Sequence, residues 1–588
     1  MKLRYKILFI AVALIGLSSC NDFLDKVPDT RVYLVNLDQL KQLLLTGYMD
    51  SNYALVGELS SDNIIDNNSP STMKGSEGTR YNLSYYSQAD EQVYKWEDVD
   101  LDISSSDTPS GIWNACYGAI AVANAVLEKT DEFEANGMID GEEITSSDQA
   151  RMNALKGEAY MIRAYHHFIL AQIFCMPYRG DAINATLPGI PYSTKPEKEL
   201  DPKYDRGTLK ETYDKIEADL KLGLEFITDE YYEVPKNHFN VASSNTFAAR
   251  FYLIKREYDK VVEYCNAALK GNDPRTMLND GWTKPGDFYY ISDIGRYFTS
   301  IERPGNFQIF TSYSTWWRRF VQSARFACNR EAARGTIEGP GPSWASCRYR
   351  NQATGETFAM LPSFNGFCGI AGSQEYGAYF AGNSFEQFEY SDKIAGIGYC
   401  HAVRPEFTVE EVLLMRAEAN LFLNNIDAAF EDLSLWNEER RTEAAIKDGM
   451  KVLTKSDILS FYNYYDNPNR RDPGFGIVKK INIDEVCPSD KYHLTNEIEP
   501  YLQCVQHFRR IQFVHMGNRW FDIKRFGFTI THKMGISDSY TLEVLDKRYA
   551  IQIPSEVIGA GLTPNPRETN TPTGDQAVNS NQYVRVSD

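Results

Sequence analysis

Asn245-Thr246-Phe247-Ala248-Ala249-Arg250-Phe251-Tyr252-Leu253-Ile254 and, after a short turn, Tyr258-Asp259-Lys260-Val261-Val262-Glu263-Tyr264-Cys265-Asn266-Ala267-Ala268-Leu269 read as two antiparallel helices. Ala248-Ala249 and Ala267-Ala268 put small side chains at close-packing positions, so the two helices can approach one another. A hairpin of this kind is a repeat unit, and repeat units bury their apolar faces by stacking on neighbours.

The rest of the chain supplies such neighbours. Leu37, Leu40, Leu43 and Leu44 fall at helical spacing within Leu34 to Leu45. From Ile112 to Leu127 the residues Trp113, Tyr117, Ile120, Ala121, Asn124 and Leu127 share a face. Arg151 to Phe174 is the strongest helical pattern, and Pro177 stops it. Thr208 and Glu211 form a capping box that opens a helix reaching Ile227. Thr408 to Leu423 and Ile426 to Arg441 make a second hairpin across Asn424-Asn425, and Leu502 to Arg525 is the last long helical stretch. Tyr549 to Ile558 reads as a short extended segment stopped by Pro554. Long loops interrupt the 34-residue period of a tetratricopeptide array. The expected fold is therefore mostly α, a tetratricopeptide-like scaffold of helical hairpins with long irregular loop excursions.

Two excursions are rich in aromatic residues: 60–110, with Tyr85, Tyr86, Tyr94 and Trp96, and 272–403, with Trp282, Tyr289, Trp316, Trp317 and Trp344. A compact domain rarely carries such segments unless they are functional or built as a subdomain. A saccharide offers flat C–H faces and many hydroxyls, which suit aromatic platforms flanked by amides and carboxylates. The candidate ligand contacts are thus Tyr85, Tyr86, Trp96, Trp282, Tyr289, Trp316, Trp317 and Trp344. The competing reading is that these rings fill the interiors of the loops, as Trp113, Trp436 and Trp520 are expected to fill the helical core. Arg318, Arg319, Arg325, Arg330 and Arg334 could hold an anionic group on a ligand, or simply balance charge in an acidic chain.

The first twenty residues have the form of an export signal. Lys2, Arg4 and Lys6 precede an uncharged core, Ile7 to Leu17, that is too short to span a bilayer, and Ser18-Ser19 precede Cys20. Cleavage before Cys20 and acylation of that cysteine would anchor the chain by lipid, and no later apolar run reaches the ~20 residues a membrane helix needs. At 588 residues and a formal net charge of −19, the chain is a poor partner for nucleic acid, which requires basic surface. Its nine other cysteines are scattered singly without a C-x-x-C, which points to buried small hydrophobes and away from a zinc ribbon.

Local signatures of catalysis and metal binding fail. Asp98-x-Asp100-x-Asp102 opens like a calcium loop, but Ile103 stands where glycine is needed and Pro109 where glutamate is needed. His166, His167, His507 and His515 have no metal spacing and read as helix-face residues. Nucleophile-elbow, P-loop and dinucleotide fingerprints are missing, so a non-enzymatic protein without a cofactor is expected.

Several stretches together carry a family likeness. Cys20-Asn21-Asp22-Phe23-Leu24-Asp25 with Pro28, Gly157-Glu158-Ala159 with Arg163-Ala164, Met415-Arg416-Ala417-Glu418-Ala419, Arg509-Arg510-Ile511-Gln512-Phe513 with Gly517-Asn518-Arg519-Trp520-Phe521-Asp522, and Ile551-Gln552-Ile553-Pro554-Ser555-Glu556 follow one another in the right order. In these the chain resembles the SusD-like (SusD/RagB) lipoproteins of Bacteroidetes-type bacteria. It departs from them where His507-Phe508, Gln512 and His515-Met516 replace acidic residues, which takes away expected ion partners of Arg509 and Arg519. The resemblance implies a lipoprotein held on the outer membrane through Cys20 and exposed at the cell surface. Such a protein binds oligosaccharide and delivers it to a TonB-dependent SusC-like porin. The RagB branch implies a peptide ligand instead, and a surface glycan hydrolase is the reading from another class. The implied organisation is a leader over 1–19 and a single domain over 20–588, with the scaffold at about 32–271 and 404–530 and a loop-rich subdomain at about 272–403.

Overall fold

The computed structural model describes residues 34–48, 51–72, 87–99, 106–199, 203–278, 291–321, 325–337, 339–345, 379–447, 449–466 and 476–567, with short pieces at 78, 80, 349–350, 357–358 and 363–365. The leader and Cys20 lie outside these residues.

The scaffold is helical, as the periodicity predicts. α1 (Leu37–Leu44) and α2 (Ala54–Leu59) are short. α3 (Pro109–Asn136) and α4 (Ser146–Phe174) are long and pack on one another, and α5 (Leu209–Phe226) lies on α4. α6 (Val241–Lys255) and α7 (Tyr258–Leu269) form the hairpin read from the sequence, and the left-handed Arg256 (φ 60°) turns one helix into the other. α8 (Val409–Phe422) packs on α7, and α9 (Ile426–Glu438) folds back on α8 through Asn424 (φ 60°). Caps fix the ends. Thr208 and Glu211 make the predicted capping box, and Thr145 with Asp148 makes another that starts α4 five residues before Arg151. Every residue of α4 from Met161 to Phe174 is buried, so this helix is enclosed on all sides and is the axis of the core.

The motif residues clip these helices together. Glu158 on α4 accepts hydrogen bonds from the Tyr48 hydroxyl (2.6 Å) and sits 2.8 Å from His238 Nδ1. Arg163 makes a bidentate pair with Asp219 of α5 (2.7 and 2.6 Å) and donates to Asn124 of α3 (2.9 Å). At Gly157 any side chain would meet the backbone of Phe226 at 2.7 Å, so the motif glycine lets α4 cross the end of α5. On α8, Arg416 makes a bidentate pair with Asp432 of α9 (2.9 and 2.7 Å).

The last long helical stretch is two helices, α10 (Glu499–Gln512) and α11 (Asn518–Phe526). His515 (φ 66°) and Gly517 (φ 80°) break it. His515 therefore sits in a turn, not on a helix face. The turn packs tightly on α2, and Gly57 permits this, because a side chain there would lie 2.5 Å from the Gly517 carbonyl oxygen. Glu58 follows and accepts from the Gly517 amide (3.0 Å), which caps the break. Beyond Pro554, where the sequence reads as extended to Ile558, the structure instead has a short helix over Ser555–Gly559.

The stretch 272–403 contains more order than its composition suggests. β1 (Asn306–Tyr313), β2 (Phe385–Asp392) and β3 (Ile397–Thr408) form an antiparallel sheet in the order β2-β3-β1. Pro405 lies at a bulge of the central strand, where the register with β1 shifts. β3 runs directly into α8, with Thr408 as its N-cap. Its inner half is ionically tied to the scaffold. Arg250 of α6 pairs with Glu406 (2.7 Å) and bidentately with Glu411 (2.7 and 2.8 Å), while Arg404 lies 4.3 Å over the Tyr53 ring and pairs with Glu406.

Asp62, just past α2, receives Arg519 of α11 twice (2.8 and 3.0 Å) and Lys479 (3.2 Å), with Arg510 of α10 at 3.8 Å. Burial alone would push this carboxyl up, but the summed pull of Arg510, Arg519 and Lys479 holds it well below the usual carboxylate range. Because the folded value is depressed, its contribution is present above the unfolded value near ~3.9 and is lost as pH falls through the folded value. Asp62→Asn leaves three buried cations uncompensated and is expected to cost about 3–5 kcal/mol in urea unfolding. A loss under 1 kcal/mol, or a variant that keeps the wild-type decline of stability in acid, would remove Asp62 from this role.

Candidate functional site

Most of the tryptophans singled out in the sequence are packed inside. Trp96 is buried, takes the left-handed conformation (φ 55°), stacks on His532 at 4.2 Å and donates its indole N–H to the Ser60 carbonyl (3.0 Å). Trp344 is buried near Phe508, with its N–H on the Gly339 carbonyl (2.8 Å). Trp316 has no exposed surface. Trp317 is half-buried and donates to the Ser384 carbonyl (2.9 Å). For Trp96, Trp316 and Trp344 the structure corrects the expectation of open platforms. The indole is the largest apolar side chain, and at Trp96 and Trp344 the loops fold over it with its N–H on a backbone carbonyl. Trp113, Trp436 and Trp520 are core residues as expected. Tyr85, Tyr86, Trp282 and Tyr289 lie outside the described residues.

The arginines divide in the same way. Arg325 is held by Asp66 (2.9 and 3.1 Å) and Glu91 (3.2 Å), and Arg319 pairs with Asp90. These two balance charge. The side chains of Arg318 and Arg330 are outside the described residues. His166, His167 and His507 are buried on helices, and burial pushes them down to about 4, 3 and 3. Asp98 pairs with Arg567 (2.7 Å), while Asp100 and Asp102 are not among the described residues. No group of three or more metal-ligating side chains occurs among the described residues. Cys116, Cys175, Cys265, Cys487 and Cys504 are buried free thiols, and Cys347 and Cys368 lie outside the described residues.

An exposed aromatic surface does exist, on the sheet. The cross-strand pairs His401↔Tyr313, Gln387↔His401 and Glu389↔Tyr399 place these five side chains on one face. Tyr313 is 43% exposed and Tyr399 59%. Their rings meet edge to face at 5.8 Å, and Tyr313 lies 4.4 Å from the His401 ring. His401 Nε2 is 2.9 Å from a Glu389 carboxylate oxygen. On the opposite face Phe388 and Tyr390 pack edge to face at 4.8 Å and are also exposed.

The mount is rigid because the strands are anchored at their inner ends by the Arg250, Glu406 and Glu411 network. The outer turn is closed by Asp392, whose side chain accepts from the amides of Ile394 (2.8 Å) and Ala395 (3.0 Å). Two tyrosine rings, an imidazole, a carboxylate and an amide thus stand together on a fixed support. Ring faces can stack on sugar C–H surfaces while Glu389 and Gln387 accept or donate to hydroxyls. Sequence reasoning missed this surface because Pro405 and the bulges obscure the alternation that marks a strand. The one available signal was Tyr399-Cys400-His401 opposite Gln387-Phe388-Glu389 across a turn containing Gly396.

Comparison with known proteins bears on the whole chain. Residues 22–253 match the model of a SusD-like family described as starch-binding and associating with the outer membrane. No curated protein sequence matches. Among solved structures, a SusD superfamily protein from Bacteroides thetaiotaomicron is similar with a TM-score of 0.52 at 17% identity, covering 91% of this chain and 100% of that one. A putative sugar-binding protein from Bacteroides vulgatus gives 0.54 at 15% identity over 91% and 99%. A SusD-like carbohydrate-binding protein from the same species gives 0.52 at 16% over 89% and 96%. The family segment covers residues 22–253, and the fold is shared over about nine-tenths of the chain with these solved structures, so in its N-terminal part and in its fold the chain is similar to SusD-like proteins.

Proposed function

We propose that this protein captures oligosaccharide at the outer membrane and hands it to a TonB-dependent SusC-like porin, held in place by lipid on Cys20. The observation that carries the binding half is the exposed Tyr313, Tyr399 and His401 cluster on an anchored sheet. The family description and the sugar-binding relatives support the ligand class and the compartment. The form of the leader supports the anchor. Delivery to a porin rests on the family resemblance. No catalytic role is assigned, because the cluster offers recognition groups and no pair of carboxylates positioned about a scissile bond.

Binding is tested by a glycan and peptide screen on the form lacking residues 1–20, with product release followed in parallel. Tyr313→Ala and Tyr399→Ala should each weaken the glycan found by roughly tenfold or more while leaving the melting temperature unchanged, since exposed rings contribute contact area to ligand and little to the core. Trp316→Ala, by contrast, should lose about 3–5 kcal/mol of stability. If both tyrosine variants bind like wild type, the sheet is not the site. Sustained product release would make the protein an enzyme.

Cys20→Ala should move the protein out of the membrane fraction after a high-salt wash. Retention in a strain lacking the neighbouring porin would show a second anchor.

A further inference from the structure

A second surface, remote in sequence from the sheet, has the form of a binding groove. It encloses about 690 Å³ between the first half of α3, residues 191–197 with 203–204, and the C-terminal turn 556–562. That volume falls within the range of small-molecule sites, about 300–1,000 Å³. Part of its floor is the small exposed side chain of Ala121 on α3. Trp113 and Tyr117, with ring centroids 5.0 Å apart, continue the floor, and Tyr204, 52% exposed, stands as a wall.

The groove is built before any ligand arrives. Arg206 is buried and ties the walls together, donating to the Gly189 carbonyl (2.7 Å) on one side and to the Thr563 carbonyl (3.0 Å) and Asn565 Oδ1 (2.8 Å) on the other. Asn565 in turn donates to the Phe174 and Ile551 carbonyls (2.9 and 2.8 Å). Tyr117 is fixed by its hydroxyl on the Pro191 carbonyl (2.7 Å). The Tyr204 hydroxyl donates to Glu197, whose carboxylate also accepts the amides of Lys198 (2.9 Å) and Glu199 (2.8 Å). Such preorganisation lowers the ordering cost of binding.

Charge selects the ligand. The two carboxylates that line the groove are already engaged, Glu197 as described and Glu556 by the Ser110 hydroxyl. The two ammonium groups, Lys195 and Lys203, form no ion pair among the described residues. From aromatic surfaces set beside two uncommitted cations, we infer that this groove is a second saccharide site, and that it takes short oligosaccharides carrying carboxylates, that is, uronates. The rings stack on the pyranose faces, and Lys195 and Lys203 hold the C6 carboxylates.

The test uses the purified protein, trigalacturonate and its fully methyl-esterified counterpart, which keeps the sugar rings and removes the charge. Titration calorimetry should show trigalacturonate binding at least tenfold more tightly than the ester, with an affinity that falls as salt is raised. The Lys195→Met, Lys203→Met double variant should abolish that preference. Tyr204→Ala should weaken both ligands at unchanged melting temperature, whereas Tyr313→Ala and Tyr399→Ala should leave trigalacturonate binding intact. Equal affinity for acid and ester would overturn the charge assignment. Loss of binding in the sheet variants but not in Tyr204→Ala would place the ligand on the sheet, and no heat at millimolar trigalacturonate would refute the site outright.

Discussion

The structure depends on one carboxylate, Asp62, which draws Arg510, Arg519 and Lys479 into the space between the first helices of the scaffold and the last. A stack of helical hairpins has no intrinsic closure, since each unit contacts only its neighbours. Here residues more than 440 positions apart in sequence are joined, because Arg510 also donates to the Asn63 side chain (2.9 Å) and to the Asp62 carbonyl (2.8 Å). Three cations about one buried carboxylate would be costly without further donors and acceptors. Those partners come from α2 and the turn after it, and Glu58 of α2 lies beside them. Burial pushes Glu58 up to about 7 despite the amide hydrogen bonds it accepts, so the local charge is concentrated on Asp62. Burial together with the neighbouring arginines pushes Lys479 down to about 8, against the opposing pull of Asp62.

Further ion pairs extend this arrangement along the scaffold. Asp522 receives Arg509 (3.0 and 3.2 Å) and Arg525 (3.0 Å), and Arg525 reaches Glu418 of α8. The acidic residues that Arg509 and Arg519 lack in their own helix are thus replaced by partners from α11 and from residue 62. This is why the departures from the family pattern at Gln512 and His515-Met516 do not leave these arginines bare. The motifs that made the family recognisable are inter-helix clips, and their chemistry is spent on the fold.

That division explains what was legible in the sequence. Helix starts were readable wherever a cap and a 3.6-residue period coincide, as at Thr208 with Glu211 and at Thr408. The break between α10 and α11 was not readable, because the contacts that hold the turn, Gly57 against Gly517 and Glu58 on its amide, come from residues distant in sequence, and periodicity cannot report a contact of that range. The sheet was hidden for a local reason: β3 carries Pro405 and a register shift, and its inner half is buried on both faces. Tryptophan content misled for an energetic reason. An indole gains more from enclosure than from display once its N–H reaches a carbonyl, as Trp96 and Trp344 do, whereas the strand pleat forces every second side chain of a projecting hairpin outward whatever its type. Tyr313 and Tyr399 are exposed by that geometry.

The overall acidity of the chain does not decide what the groove beside α3 can hold. A formal charge of −19 spread over 588 residues acts on a ligand only within about 8 Å at physiological ionic strength. Inside that radius the groove's own groups dominate, and their commitments matter more than their number. Glu197 is a carboxylate already surrounded by a hydroxyl and two amides, so its charge is dispersed into donors that a ligand does not have to supply. Lys195 and Lys203 carry charge that no described side chain offsets. A neutral glycan would leave those ammonium groups to water at no gain, while a carboxylate on the sugar converts them into charge-assisted contacts. The sheet presents the opposite balance, with the Glu389 carboxylate across from Tyr399 and 2.9 Å from the His401 ring nitrogen. Two aromatic surfaces on one scaffold are therefore set apart less by their rings than by the charge left uncommitted around them.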